Sequence, residues 1–275
     1  VLALPLICSW LAALAIGPAA CRSLAASALA RTNYRGARLA APLGLVIVAA
    51  ALLALAPLAL AQLLAGGTTI LAPALGWIAV FVLGVAALGL VDDARGDQVH
   101  GLRVHLRALR GGRPDTGVLK AVGTPALALV AMLWSGAGTV RLLLGAVVLV
   151  LATHAFNLID LRPGRAVKAL VVLAALLTLA SGRLRALWAL GLFAGPVLVV
   201  GWLDLRERGL LGDTGAGLLG ALAGVWLVLS LPSSGLAITA GVLGAISLYG
   251  EFHSISAFVE RAPVLRSLDW VGRPH

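Results

Sequence analysis

Nine apolar stretches, most of them near the roughly 20 residues that carry a helix across a bilayer, run through this chain at 1–18, 44–65, 70–91, 118–134, 141–157, 166–181, 185–203, 214–231 and 235–250. Little else so limits what the chain can become. With 61% of its residues hydrophobic and 12% charged, it lies far from the half-apolar, quarter-charged mix of soluble domains. The expectation is an all-α, polytopic membrane protein of about nine transmembrane helices. Residues 1–250 form one helical domain, and 251–275 form a cytoplasmic or interfacial tail. No basic segment precedes the first stretch, and Pro5, Trp10 and Pro18 suit a retained helix better than a cleaved signal. Cys8 and Cys21 are too few and too differently placed to suggest a disulfide or a metal site, and read as small apolar fillers.

Lys and Arg of short loops stay on the cytoplasmic side, so their distribution sets an orientation. With the N-terminus outside and the C-terminus cytoplasmic, all of the 21 Lys and Arg face inward except Arg141, Arg183 and Arg185. The formal charge of +10 is then a property of the inner face. It suits anionic headgroups or a phosphorylated substrate and does not point to nucleic acid. Every Asp and Glu also falls on that side, which insertion alone does not require. Short outer loops, with room for little, are one explanation; a polar working surface at the inner boundary is the other.

Four segments meet that boundary. In "VDDARGD", Asp92 and Asp93 close the third stretch. Neighbouring carboxylates repel, so such a pair asks for a cation or for a proton on one member, although it also serves as a plain polar stop. In "HAFNLIDLRPGRAVK", His154, Asn157 and Asp160 recur every third residue along one polar helix face. Pro163 and Gly164 then break the helix, and Arg162, Arg165 and Lys168 follow as cations fit for phosphate or for an ordinary inner loop. In "LLGDTGAGLLG", Asp213 with Thr214 can cap the eighth helix. A helix start also attracts anions, and an Asp beside it can hold Mg²⁺ against a diphosphate. In "GLRVHLRALRGGR", Arg103, Arg107 and Arg110 share one face of a short interfacial helix, whose simplest role is anchorage. The tail reads as another interfacial helix.

The order of these motifs resembles the polyprenyl-phosphate N-acetylhexosamine-1-phosphate transferase family, which includes phospho-N-acetylmuramoyl-pentapeptide translocase and the enzymes that start teichoic acid and O-antigen lipid carriers. The resemblance covers roughly residues 20 to 230. It runs through "TNYRGARLAAPLGL", the Asp92–Asp93 pair, "HAFNLIDLRPG" against an Asn-x-x-Asn-Leu-x-Asp-Gly-x-Asp-Gly block, and "LLGDTGAG". The resemblance implies a bacterial inner-membrane enzyme of cell-envelope polymer synthesis. Such an enzyme uses Mg²⁺ to transfer a sugar-1-phosphate from a nucleotide sugar, a UDP-N-acetylhexosamine in the family, to undecaprenyl or another polyprenyl phosphate, with release of UMP. It implies that Asp213 and Asn157 ligate the metal and that Asp92 and Asp93 bind or deprotonate the lipid phosphate. Asp160 would support the site, and His154, Arg35, Arg107, Arg162, Arg165 and Lys168 would line the substrates. A homodimer is compatible with this reading.

The chain also departs from the family. His154 replaces the first Asn, Leu161 replaces a Gly, and Pro163 stands where relatives carry an Asp or Asn that contacts the nucleotide. The usual late histidine cluster is reduced to His253 and His275. These changes leave two rivals to an enzyme. One is an accessory protein that binds a lipid phosphate or lipid-linked sugar without turnover. The other is a transporter, which would more usually place its charges near mid-membrane in repeated halves.

Overall fold

The computed structural model describes residues 1–33, 35–95 and 116–272. Among these are eleven helices and one two-stranded hairpin. In chain order they are α1 (Leu4–Ala26), β1 (Arg31–Thr32), β2 (Arg38–Leu39), α2 (Gly44–Leu64), α3 (Leu75–Arg95), α4 (Thr116–Trp134), α5 (Thr139–Ile159), α6 (Arg165–Ser181), α7 (Arg185–Leu205), α8 (Gly212–Ser230), α9 (Ser233–Phe252), α10 (Ile255–Arg261) and α11 (Pro263–Trp270). Each expected apolar stretch is one helix. Eight of them are long and apolar enough to cross a membrane, and α6, at 17 residues, is shorter than the rest. The protein is a multi-pass membrane protein.

Helix α8 is the axis of the bundle: 83% of its span is buried, against 6% for the peripheral α9. Its sequence, "GDTGAGLLGALAG", explains why. Without a hydrophobic drive between helices in lipid, close packing holds them together, and small residues let backbones approach. A methyl group added at Gly220 would lie 2.6 Å from the Thr153 Cα of α5, and one at Gly89 of α3 would lie 2.5 Å from the Asp213 carbonyl oxygen. Both neighbours therefore touch α8 through backbone. Helices α3, α5, α6, α7 and α2 surround it, with α1 against α7 and α4 bridging α3 and α5. Large apolar side chains such as Leu63 and Leu179 stay exposed on the outside, as a lipid-facing surface requires.

At one end of this bundle, called the polar end here, α3 and α5 finish while α4, α6 and α8 begin. The antiparallel hairpin β1–β2 lies there, with Arg31 opposite Leu39. The chain after it is laced to the loop before α8: the Leu210 N–H donates to the Ala40 carbonyl at 2.8 Å, and the Leu43 N–H donates to the Leu210 carbonyl at 2.8 Å. The tail departs from its expected single helix. It folds as α10 and α11, joined by a turn at Ala262.

Candidate functional site

The end of α3 is built around two carboxylates with different tasks. Asp93 accepts hydrogen bonds from the backbone N–H groups of Asp213 (3.0 Å) and Thr214 (2.8 Å) and from the Thr214 hydroxyl (2.6 Å). It thereby satisfies donors that a helix start leaves free and places a negative charge at the positive end of the dipole. The expectation that Asp213 and Thr214 cap α8 themselves is corrected: the cap comes from α3. Gly212 makes room for it. Its φ is +68°, and an added Cβ would lie 2.8 Å from an Asp93 carboxylate oxygen, so a larger residue would expel the cap. The Arg31 guanidinium donates to the Asp93 carbonyl and ties the hairpin to the same point.

Capping by Asp93 leaves Asp213 free to face Asp92. Lys120, the fifth residue of α4, joins them: its ammonium is paired with the Asp92 carboxylate and lies 2.9 Å from Asp213. Thr116 is within hydrogen-bonding reach of Asp92. Asp213, with 44% of its side chain exposed against 16% for Asp92, is the member most open to a ligand. Two carboxylates, one from α3 and one from α8, thus meet one ammonium from α4. Lys120 is the site residue that sequence reasoning missed, because the only available signal was a cation near the start of an apolar run.

The expected polar face of α5 divides among three surroundings. Asn157 faces α8, where a methyl group at Gly217 would lie 3.9 Å from its Nδ2, and that Nδ2 donates to the Thr153 carbonyl of its own helix at 2.9 Å. Its Oδ1 is buried without a hydrogen-bond partner. His154 is exposed and in electrostatic range of Glu251 on α9, so it is not brought to the carboxylates. Asp160 ends the helix, enclosed yet not sealed from solvent. Burial above all, together with the charges of Asp204, Asp213 and Asp93, pushes its carboxyl well above the usual carboxylate range, while Arg165 opposes the shift.

The basic groups expected to hold phosphate are occupied. Arg165, only 8% exposed, grips Asp269 of α11 with two hydrogen bonds of 2.9 Å and donates to the Ser256 hydroxyl at 3.0 Å. The Lys168 ammonium donates to the carbonyls of Leu268, Asp269 and Val271 at 3.0, 2.7 and 3.2 Å, where a cation favours the helix end. Arg162 pairs with Glu260 at 3.3 Å. Arg35 pairs with Glu207 at 3.6 Å. Each of these four cations contacts an acceptor of the protein itself. Asp204, not singled out in the sequence, accepts the Gly164 N–H at 2.7 Å and fixes the start of α6 much as Asp93 fixes that of α8. Arg107 and the interfacial helix expected around it lie outside the described residues.

Among the described residues no three His, Cys, Asp or Glu side chains are grouped so as to hold a metal ion. The oxygens that remain beside Lys120 come from two carboxylates, Asp92 and Asp213, with the Asn157 amide on the neighbouring helix. No protein-family model matches the chain, and no curated protein matches it in sequence.

Proposed function

We propose that the chain transfers a sugar-1-phosphate from a nucleotide sugar to a polyprenyl phosphate at the cytoplasmic face of a bacterial inner membrane. One observation carries this reading: Asp92 and Asp213, 121 positions apart in the sequence, converge on one ammonium at a helix start, where an amphiphilic phosphate and a water-soluble donor can meet. In the reaction a lipid phosphate oxygen forms a bond to the sugar-bearing phosphorus of the donor. The bond from that phosphorus to the nucleoside monophosphate breaks, and the monophosphate departs with the electron pair. Asp92 accepts any proton remaining on the attacking phosphate, and Lys120 offsets the charge of both carboxylates. Asp93 is a positioning residue that holds the start of α8. Asp213 and the unpartnered Asn157 Oδ1, hard oxygens of the kind magnesium takes, would hold such an ion. When bound, Mg²⁺ would neutralise charge on the diphosphate.

The topology proposed with this activity has nine spans, an outside N-terminus and an inner polar end. The course of α6 supports nine, since Arg165 meets the tail at the polar end while Ser181 reaches a hollow shared with Ser230 at the other. The test is UMP release by purified protein supplied with undecaprenyl phosphate, Mg²⁺ and a panel of UDP-sugars. Release that needs all three, and falls at least about 100-fold in Asp213→Ala, is expected. No release with any donor, from protein that still binds the lipid, would count against the transferase.

A second reading is favoured by the occupied cations: an accessory protein that binds a lipid phosphate or lipid-linked sugar without turnover. It predicts that Asp213→Ala leaves lipid binding unchanged and that no donor is consumed by the unaltered protein.

A further inference from the structure

The end of the bundle remote from the carboxylates holds a cavity of about 560 Å³, walled by Trp77, Met132, Trp134 and Leu229 and edged by Arg141 and Arg185. A smaller hollow of about 230 Å³ adjoins it through Arg185 and is edged by Arg183. These are the three cations that the orientation argument leaves on the minority side. Their retention there runs against the charge asymmetry of the rest of the chain. No carboxylate lines either hollow among the described residues, and every described Asp and Glu lies at the polar end. Arg185 is exposed and is the first residue of α7, where the helix dipole disfavours a cation, and the first turn carries no acid to relieve it. An anion bound there would be attracted both by the guanidinium groups and by the free N–H groups of the helix start. Arg141 donates to the Val228 and Leu231 carbonyls, which fixes its charge at the mouth and closes the end of α8. Trp134, 62% exposed at the end of α4, belongs to the amphipathic residues that settle at headgroup depth.

We propose that this cavity binds the phosphate headgroup of an anionic membrane lipid, with Arg185 and Arg183 against the phosphate, the charge of Arg141 at the mouth and Trp134 beside the upper acyl chain. The site is separate from the carboxylate cluster and does not depend on the transferase reading. A lipid is favoured over a free phosphate because most of the wall is apolar and the mouth lies where helices leave the membrane.

The full chain in nanodiscs tests this with phosphatidylglycerol and phosphatidylcholine brominated near the headgroup, each titrated at equal mole fractions. Brominated phosphatidylglycerol is expected to quench tryptophan emission at lower mole fraction than brominated phosphatidylcholine, with part of the quenching lost in Trp134→Phe. Arg185→Gln, at an exposed position, is expected to shift the half-quenching mole fraction of phosphatidylglycerol upward by about fivefold to tenfold. Arg183→Gln should act in the same direction by a smaller factor. Equal quenching by both lipids, or a preference unchanged in the Arg183→Gln, Arg185→Gln double variant, would overturn the proposal. So would abolition of the preference by inorganic phosphate at constant ionic strength, which would mark a free-phosphate site.

Discussion

The carboxylates at the end of α3 and the cations at the start of α6 both read as parts of one phosphate-handling site, yet they are satisfied in opposite ways. Around Lys120, the carboxylates of Asp92 and Asp213 share a single ammonium. Around Arg165, each cation meets an acceptor of its own, and Asp269 takes two matched hydrogen bonds. The first arrangement keeps negative charge in excess and can accept a further cation. The second is saturated and works as a clamp that holds α10 and α11 against the bundle. Charge type alone does not distinguish a site from a fastener; what distinguishes them is whether the partners are already supplied.

The comparison breaks most visibly at the clamp. Arg165→Ala should strand the Asp269 carboxylate in a buried place and cost about 3–5 kcal/mol. Thermal unfolding in detergent and proteolysis of the tail check this, and a variant with an intact tail and unchanged unfolding temperature would refute the clamp. Lys120→Met should cost less, about 1–2 kcal/mol, because its partners are partly exposed. Its loss should be repaired by Mg²⁺ more than in the unaltered protein, which separates a cation-accepting cluster from a closed one. Asp93→Ala removes the cap of α8 and should cost about 1 kcal/mol, with faster hydrogen exchange in the first turn of that helix as the specific sign.

The last effect concerns Asp160. Its raised pKa means that the folded protein holds a proton the unfolded chain has released. That contribution to stability is fully present below the ordinary carboxylate range and is lost as pH rises through the folded value. Asp160→Asn should therefore be the more stable protein at neutral pH. The difference should vanish in acid, and a difference that grows on acidification would reverse the assignment.

The helices were legible in the sequence because each is an uninterrupted apolar run, and lipid demands that length. The carboxylate cluster was half legible. Asp92, Asp93 and Asp213 stand out as acids at the ends of such runs, but which of them caps and which remains open depends on how α3 and α8 are rotated against each other. No spacing along one helix encodes that rotation. The same limit applies to α5: a three-residue period puts His154, Asn157 and Asp160 near one face, yet neighbours α9 and α8 and the loop after α5 divide that face among themselves. Arg165 and Asp269 are 104 residues apart, and nothing local to either announces the pair. Lys120 escaped notice because a lysine near a membrane boundary is ordinary until its two carboxylates are seen beside it.

The proposed transfer requires that Asp213 and Asn157, beside Asp92 and Lys120, form a place for a divalent cation. Isothermal titration of Mg²⁺ into the purified full chain tests it most directly, with Asp213→Asn as the control. One saturable binding event that disappears in the variant is the predicted result. Heats that are absent from the unaltered protein, or identical in both proteins, would contradict the claim.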